Sequence, residues 1–195
     1  MKQREYHQGA RAVAARITGE RIIDALVSLF MEQPLSEIRL ADVAERAGVT
    51  VQTVIRRFEN KNGLVAAAIE RVGTQIAAVR STVVPGDVRG AVANLVEHYE
   101  QAGDLSLKLL GEEPLDPSGQ SLADVGREVH RRWCATVFAP TLDPLTGPVR
   151  RRRLAQLVAI CDVYTWKLLR RDAGLSRAQT ELALIEMLTP LIQEA

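Results

Sequence analysis

Gln52, Thr53, Arg56 and Arg57 fall within six residues of one another, with Thr50 and Val51 just before them and Lys61 just after. A side-chain amide such as that of Gln52 makes a bidentate pair with the edge of adenine, and the short hydroxyls of Thr50 and Thr53 bond phosphate or approach a base. Val51 offers an apolar surface to a thymine methyl, and Lys61 offers an ammonium to phosphate. Adjacent residues on a helix point about 100° apart, so of Arg56 and Arg57 one can face bases while the other grips the backbone. Taken singly, each of these side chains is equally a solvated helix face. Taken together on one short helix, they have the chemistry of duplex DNA recognition.

The surrounding residues supply that helix. Leu40, Val43, Ala44 and Ala47 share a face at helical spacing, and Gly48 follows as the permissive residue of a tight turn. Val49 anchors the turn. Thr50 is placed to cap a second helix whose apolar positions are Val54, Ile55 and Phe58, and that helix is short enough to enter a major groove. Upstream, Ile22, Leu26, Leu29 and Phe30 form the stripe of a first helix ending near Gln33-Pro34. Downstream, a fourth helix is expected from Lys61 or Asn62 to about Thr82, with Leu64, Ala68, Val72, Ile76 and Val79 on one side.

The segment from Arg39 to Val65 resembles the TetR family of transcriptional regulators. The resemblance rests on Val43-Ala44, Ala47-Gly48-Val49, Thr50, Thr53-Val54, Phe58, and Lys61 with Leu64, and it extends to the helix Arg21 to Phe30. Three positions depart from the family pattern. Ile55 stands where a phosphate-contacting Tyr is common, Arg39 where a Thr or Ser usually caps, and Gly63 where an acidic residue usually precedes Leu64. The resemblance implies an all-α fold: an N-terminal three-helix helix-turn-helix DNA-binding domain followed by a helical regulatory domain. It also implies Arg57 toward the groove and Arg56 toward phosphate, a two-fold homodimer built on the last two helices, and an inverted-repeat operator.

Composition fits these expectations. The 195 residues are 47% hydrophobic, enough for one large or two small helical domains. The net charge of +1 conceals a modest asymmetry: residues 1 to 61 carry ten Lys and Arg against eight Asp and Glu, and the remainder fifteen against sixteen. The start MKQREYHQGARAV lacks the apolar centre and cleavage site of a signal peptide, and no apolar run approaches the roughly 18 residues that span a bilayer. No membrane partner and a cytoplasmic location are expected. Cys134 and Cys161 lie within helical patterns, so they read as reduced and structural, with redox sensing as the alternative. No catalytic residue, metal site or cofactor is expected. No histidine has a carboxylate three residues before it, and the chain has no phosphate-binding glycine loop, zinc-spaced cysteine pair or nucleophile elbow.

Residues 1–16 read as a basic arm, helical in part near Ala10 to Ile17, residues 17–84 as the DNA-binding domain with the fourth helix, and residues 85–195, after Pro85-Gly86-Asp87, as the regulatory and dimerisation domain. In the last, Val88 to Ala102 and Leu105 to Leu110 read as separate segments and Asp116 to Gly119 as a loop. Ser121 to Ala139 reads as a helix with Leu122, Val125, Val129, Trp133 and Val137 on its apolar face. Val149 to Ala173 and Arg177 to Gln193 read as long closing helices whose apolar stripes serve the dimer or the monomer core. Arg150 to Arg153 fall in a first helical turn, as a solvated face or an acid-pairing site. If the resemblance holds throughout, a small-molecule effector is expected among Tyr99, His130, Trp133, Phe138, Asp162 and Trp166, with ordinary core packing the alternative for each. Asp162, inside an apolar stretch, needs a partner such as Arg127, Arg131, a second subunit or a cationic ligand. The expected function is a DNA-binding repressor relieved by a small apolar ligand. The alternative is an adaptor of the same fold that acts through a protein partner.

Overall fold

A computed structural model of the chain describes the backbone of residues 2–113 and 117–193, and the side chains of 13–113, 120 and 123–193. Helices account for the regular structure of the described residues: α1 (Lys2–Glu32), a 3₁₀ turn (Leu35–Glu37), α2 (Leu40–Ala47), α3 (Val51–Phe58), α4 (Lys61–Arg80), α5 (Val88–Glu112), α6 (Pro117–Val137), α7 (Ala139–Leu142), α8 (Gly147–Ile160), α9 (Val163–Lys167), a π-helical segment (Leu168–Asp172) and α10 (Arg177–Gln193). Two compact units divide at Thr74/Gln75, inside α4 and ten residues before the break expected at Pro85.

In the amino-terminal unit α1 runs unbroken from Lys2, so residues expected as a separate arm continue the first helix. Its buried face, Ile22, Ala25, Leu26, Leu29 and Phe30, packs with Val43, Ala44 and Ala47 of α2, Val54 of α3 and Leu64 and Ala68 of α4. Asp42 accepts the backbone N–H of Arg39 at 2.9 Å and pairs with its guanidinium at 2.7 Å. This is the reciprocal half of a capping box, so α2 starts without the usual hydroxyl at its cap. That hydrogen bonding from Arg39 holds the Asp42 carboxyl below the ordinary carboxylate range. Gly48, at φ 62° and ψ 42°, ends α2 in the left-handed region, and Val49 N–H closes back on Ala44 O at 2.9 Å.

Thr50 then begins α3. Its hydroxyl accepts the Thr53 N–H at 3.2 Å and meets the Thr53 hydroxyl at 2.9 Å. Thr50→Ala removes this cap and should cost about 1 kcal/mol of stability, read as a lower urea midpoint, while Thr50→Ser should retain most of it.

In the carboxy-terminal unit α5 continues through Gly103 instead of breaking into two segments. The glycine is there for packing, since a Cβ at 103 would stand 2.5 Å from the Trp166 ring. Trp166 is fully buried and donates from Nε1 to Glu100 at 3.3 Å. Arg170 grips the same carboxylate at 2.8 and 3.2 Å, which lowers its pKa. The expected helix 149–173 is interrupted at Cys161. The Tyr99 hydroxyl donates to Cys161 O at 3.0 Å, Thr165 Oγ1 donates to Ala159 O at 2.7 Å, and Asp162 caps α9 by accepting Tyr164 N–H at 2.9 Å. These bonds satisfy the carbonyls and amides that a break exposes. The core joins α5 (Val92, Leu95, Val96), α6 (Cys134, Val137), α8 (Leu154, Leu157) and α10 (Leu184, Leu188). Ser176 caps α10 through Gln179 N–H at 3.3 Å, and Arg153, from the basic run, donates to Leu191 O near the end of that helix.

Two helix faces are rotated from those expected. Val125 and Val129 of α6 are 53% and 36% exposed, while His130 is buried. Near the end of α4, Val79 is 41% exposed and Arg80 only 7%. Of the expected loop 116–119, residue 116 lies outside those described, and α6 is already helical at Pro117.

Candidate functional site

On α3 the single fully buried side chain is Val54, and every other orientation follows from it. At 100° per residue, Gln52 and Arg56 lie within about 20° of the direction opposite Val54, and Ile55 lies beside them. Gln52, Ile55 and Arg56 are all exposed. Ile55, expected as a core position, is 38% exposed, as is Val51. The outward face of the helix is therefore an amide and a guanidinium, flanked by Ile55 on one side and Thr53 on the other, while Val51 is exposed in the first turn.

Arg57 points elsewhere. It lies toward α1, where its guanidinium covers the position that a Cβ at Gly19 would occupy. It also sits against the Phe58 ring, with 5.8 Å between guanidinium carbon and ring centroid. An open cleft of about 1010 Å³ there is lined by Ala15, Thr18, Thr53, Arg57, Ala66 and Glu70, among others, and Arg56 reaches its edge as well. Of the two arginines, Arg56 is the one that shares a face with Gln52, whereas the resemblance implies Arg57 toward the groove and Arg56 toward phosphate.

Lys61 is committed as well. Its ammonium donates to Leu35 O at 2.5 Å and Ser36 O at 3.2 Å, the carbonyls of the 3₁₀ turn, so it holds the start of α4 to the segment before α2. The α3–α4 junction is tight. Glu59 has φ 66° and ψ −53°, and Asn60 N–H closes on Phe58 O at 2.7 Å, the geometry of a γ-turn that costs an L-residue strain. The turn aims Phe58 O at residue 63, where a Cβ would lie 2.1 Å from it. Only glycine fits there, which accounts for the departure at Gly63. The Asn60 side chain then accepts Gly63 N–H at 3.0 Å and starts α4.

The six residues expected to hold an effector divide into three groups. Phe138 and Trp166 are core, with Tyr99 stacked obliquely on Trp166 at 5.8 Å. Asp162 is the α9 cap, and Arg127, offered as its partner, is paired with Glu113 and with Asp124 at 2.9 Å. Tyr99, His130 and Trp133 do come together, around a residue the sequence reading missed. This is Arg80, at the end of α4, which bonds His130 Nδ1 at 3.2 Å and lies 5.1 Å over the Trp133 ring. A guanidinium only donates, so Nδ1 is the acceptor there and the ring proton sits on Nε2, facing Val158 O at 3.3 Å. His98 is buried beside Tyr99, and burial, then the charge of Arg80, lowers its pKa to about 4. Burial raises that of the Tyr99 phenol. Cys134 and Cys161 are free buried thiols. The bond from Cys161, helped by His130, lowers Cys134, and the same contact with burial raises Cys161. The signal for Arg80 was in the sequence: it stands four residues after Ile76 and eight after Val72, on the inward stripe.

The amino-terminal unit thus defines a helix-turn-helix protein of the class that presents a short second helix to duplex DNA, joined to a separate helical unit. Residues 22–68 match the model of bacterial regulatory proteins of the tetR family. The HTH-type transcriptional regulator YvkB of Bacillus subtilis (strain 168) is 36% identical over 56 residues, a match spanning 29% of this chain and 30% of that one. A transcriptional regulator from Rhodococcus sp. Rha1 has the same fold, with a TM-score of 0.67 at 23% identity over 91% of this chain and 97% of its own. So do a tetR-family regulator from Streptomyces coelicolor (0.62, 19%, 90% and 80%) and the regulator FadR from Bacillus subtilis, solved with stearoyl-CoA (0.65, 16%, 89% and 97%). The tetR-family likeness is thus carried by residues 22–68, and the fold is one shared with these regulators. Among the described residues no helix is long and apolar enough to cross a membrane.

Proposed function

We propose that this chain is a sequence-specific DNA-binding regulator of transcription, a cytoplasmic homodimer that represses until a small, largely apolar molecule binds its carboxy-terminal unit. The observation that carries the reading is the outward face of α3. Gln52 and Arg56 stand side by side at its centre, Ile55 and Thr53 flank them, Val51 is exposed in the first turn, and Thr50 fixes the start of the helix. In this reading Gln52 and Arg56 meet base edges, Val51 and Ile55 meet thymine methyls or sugar, and Thr53 meets phosphate. Lys61 reaches phosphate only by releasing the 3₁₀ turn, so its first role is positional.

One eight-residue helix reads few base pairs, and a dimer with an inverted-repeat operator supplies the rest. Support for a dimer comes from apolar side chains left at the surface of the closing elements: Tyr164, Leu168, Leu182 and Met187 are 42 to 60% exposed. Support for ligand control comes from the buried cluster at the end of α4 and from the stearoyl-CoA complex of the similarly folded FadR. α4 carries Lys61 at one end and Arg80 at the other, so a ligand that displaces Arg80 acts on the helix that follows the DNA-reading turn. Such a ligand releases DNA only to the extent that it binds the released state better.

Arg56→Ala should relax base preference at one operator position by roughly 1 to 3 kcal/mol. Arg57→Ala should leave the preferred sequence unchanged. Fluorescence anisotropy against single-substituted operator duplexes distinguishes the two, and relaxed preference in Arg57→Ala with none in Arg56→Ala would refute the assignment.

A further inference from the structure

Arg80 is a buried cation with no carboxylate bound to it among the described residues. It is 7% exposed, and its Nε is buried without a hydrogen-bond partner. Trp133, whose ring it covers at 5.1 Å, is 8% exposed, and its Nε1–H is also buried and unpartnered. Two unsatisfied donors, one of them charged, therefore belong to side chains in direct contact. The neighbouring groups do not neutralise them. His130 already accepts from Arg80 through Nδ1, and the Tyr99 hydroxyl, which donates to Cys161 O and receives Arg80 on its oxygen, is neutral and leaves the guanidinium charge unbalanced. The Asp162 carboxylate is held by Tyr164 N–H at the start of α9. An uncompensated buried charge and two idle donors are each costly, and they persist in folded proteins mostly where something else completes them.

The geometry points to a binding site for a carboxylate-bearing small molecule, its anionic group held by Arg80 and the indole N–H of Trp133 and its apolar body lying among the side chains of α5 and α6. This rests on the reading of the carboxy-terminal unit as ligand-binding and specifies the ligand class. A carboxylate suits the site because it accepts several bonds and carries the single charge that balances one guanidinium. The core cluster to which Trp133 belongs, with Val92, Leu95, Val96 and Val137, is apolar, so the remainder of the molecule is expected to be hydrocarbon. A cation would meet the like charge of Arg80, and a neutral alcohol leaves that charge unbalanced.

The test uses the full chain and three probes, decanoate, decan-1-ol and inorganic phosphate, with binding followed by calorimetry and by tryptophan fluorescence. Decanoate should bind at least about tenfold more tightly than the alcohol, as expected when a hydrogen bond to a charged group is gained, and phosphate alone should bind weakly for want of the apolar body. Arg80→Met should fold and lose the preference for decanoate over decan-1-ol. Trp133→Phe keeps the ring, removes the N–H and should weaken decanoate about tenfold while leaving the alcohol unchanged. Equal binding of acid and alcohol to the unsubstituted protein, or an acid preference that survives both substitutions, overturns the assignment. No binding of decanoate also overturns it and leaves the two donors to buried water. None of these readouts uses DNA, so failure here leaves the DNA-binding reading intact, and failure of that reading leaves this site standing.

Discussion

Gly63→Ala is expected to lower the stability of the amino-terminal unit by roughly 3 kcal/mol, the upper end for overpacking a closed site. The added methyl would meet Phe58 O at 2.1 Å, and neither atom can rotate away because both belong to the backbone of the α3–α4 junction. Relief requires opening the turn at Glu59, whose γ-turn geometry and Asn60 bond depend on that carbonyl. Opening it moves Lys61 off the 3₁₀ turn and α3 off its seat, so DNA affinity should fall with stability. Gly73→Ala is the contrast: it lies in the same helix with nothing within 4 Å of the added atom, and it should stabilise by about 0.5 to 1 kcal/mol. Urea denaturation of the two variants checks the pair. Gly63→Ala as stable as Gly73→Ala would mean that the junction is not closed in this way.

Stability should also decline as pH falls from about 6.5 to about 4, by up to about 3 kcal/mol from His98 alone. The sign follows from the direction of the shift. Folded, His98 is held neutral to about pH 4 by burial and then by the positive charge of Arg80. Unfolded, it titrates near 6.5. Between those values the unfolded state binds the additional proton, so stability is complete above 6.5 and lost as pH drops through the window. Carboxylates titrate there too, so the measurement is a difference. The pH dependence of the unfolding free energy should be steeper for the unsubstituted chain than for His98→Gln, and parallel curves would contradict the buried, Arg80-facing placement. An anion bound at Arg80 should narrow the window by offsetting the charge that opposes His98 protonation.

The DNA-reading unit was legible because its signals are local. Gly48 at the turn, Thr50 at the cap and the apolar residues Val43, Ala44, Ala47 and Val54 each act within a few residues, and the TetR resemblance concentrates there. What local pattern could not give was the orientation of Arg57, which is decided by Gly19 on another helix, or the tie from Lys61 to Leu35 and Ser36. The carboxy-terminal unit was harder because its core faces carry polar residues. Arg80 and His130 sit inward while Val79, Val125 and Val129 sit outward, so an apolar count turns each face by about one residue. Gly103 reads as a helix stop but is space for Trp166. Asp162 reads as a buried charge seeking a partner, yet a chain break gives it a backbone amide to cap.

The central claim is that α3 reads sequence and that two copies do so together. Selection of a random duplex library on the purified protein, followed by sequencing of the retained DNA, tests it most directly. An enriched inverted repeat is expected, with half-sites about one helical turn apart or a multiple of it, and with preference lost within each half-site for Arg56→Ala. Retention of DNA without enrichment, or no retention at low salt by a folded dimer, would contradict it and favour an adaptor that works through a protein partner.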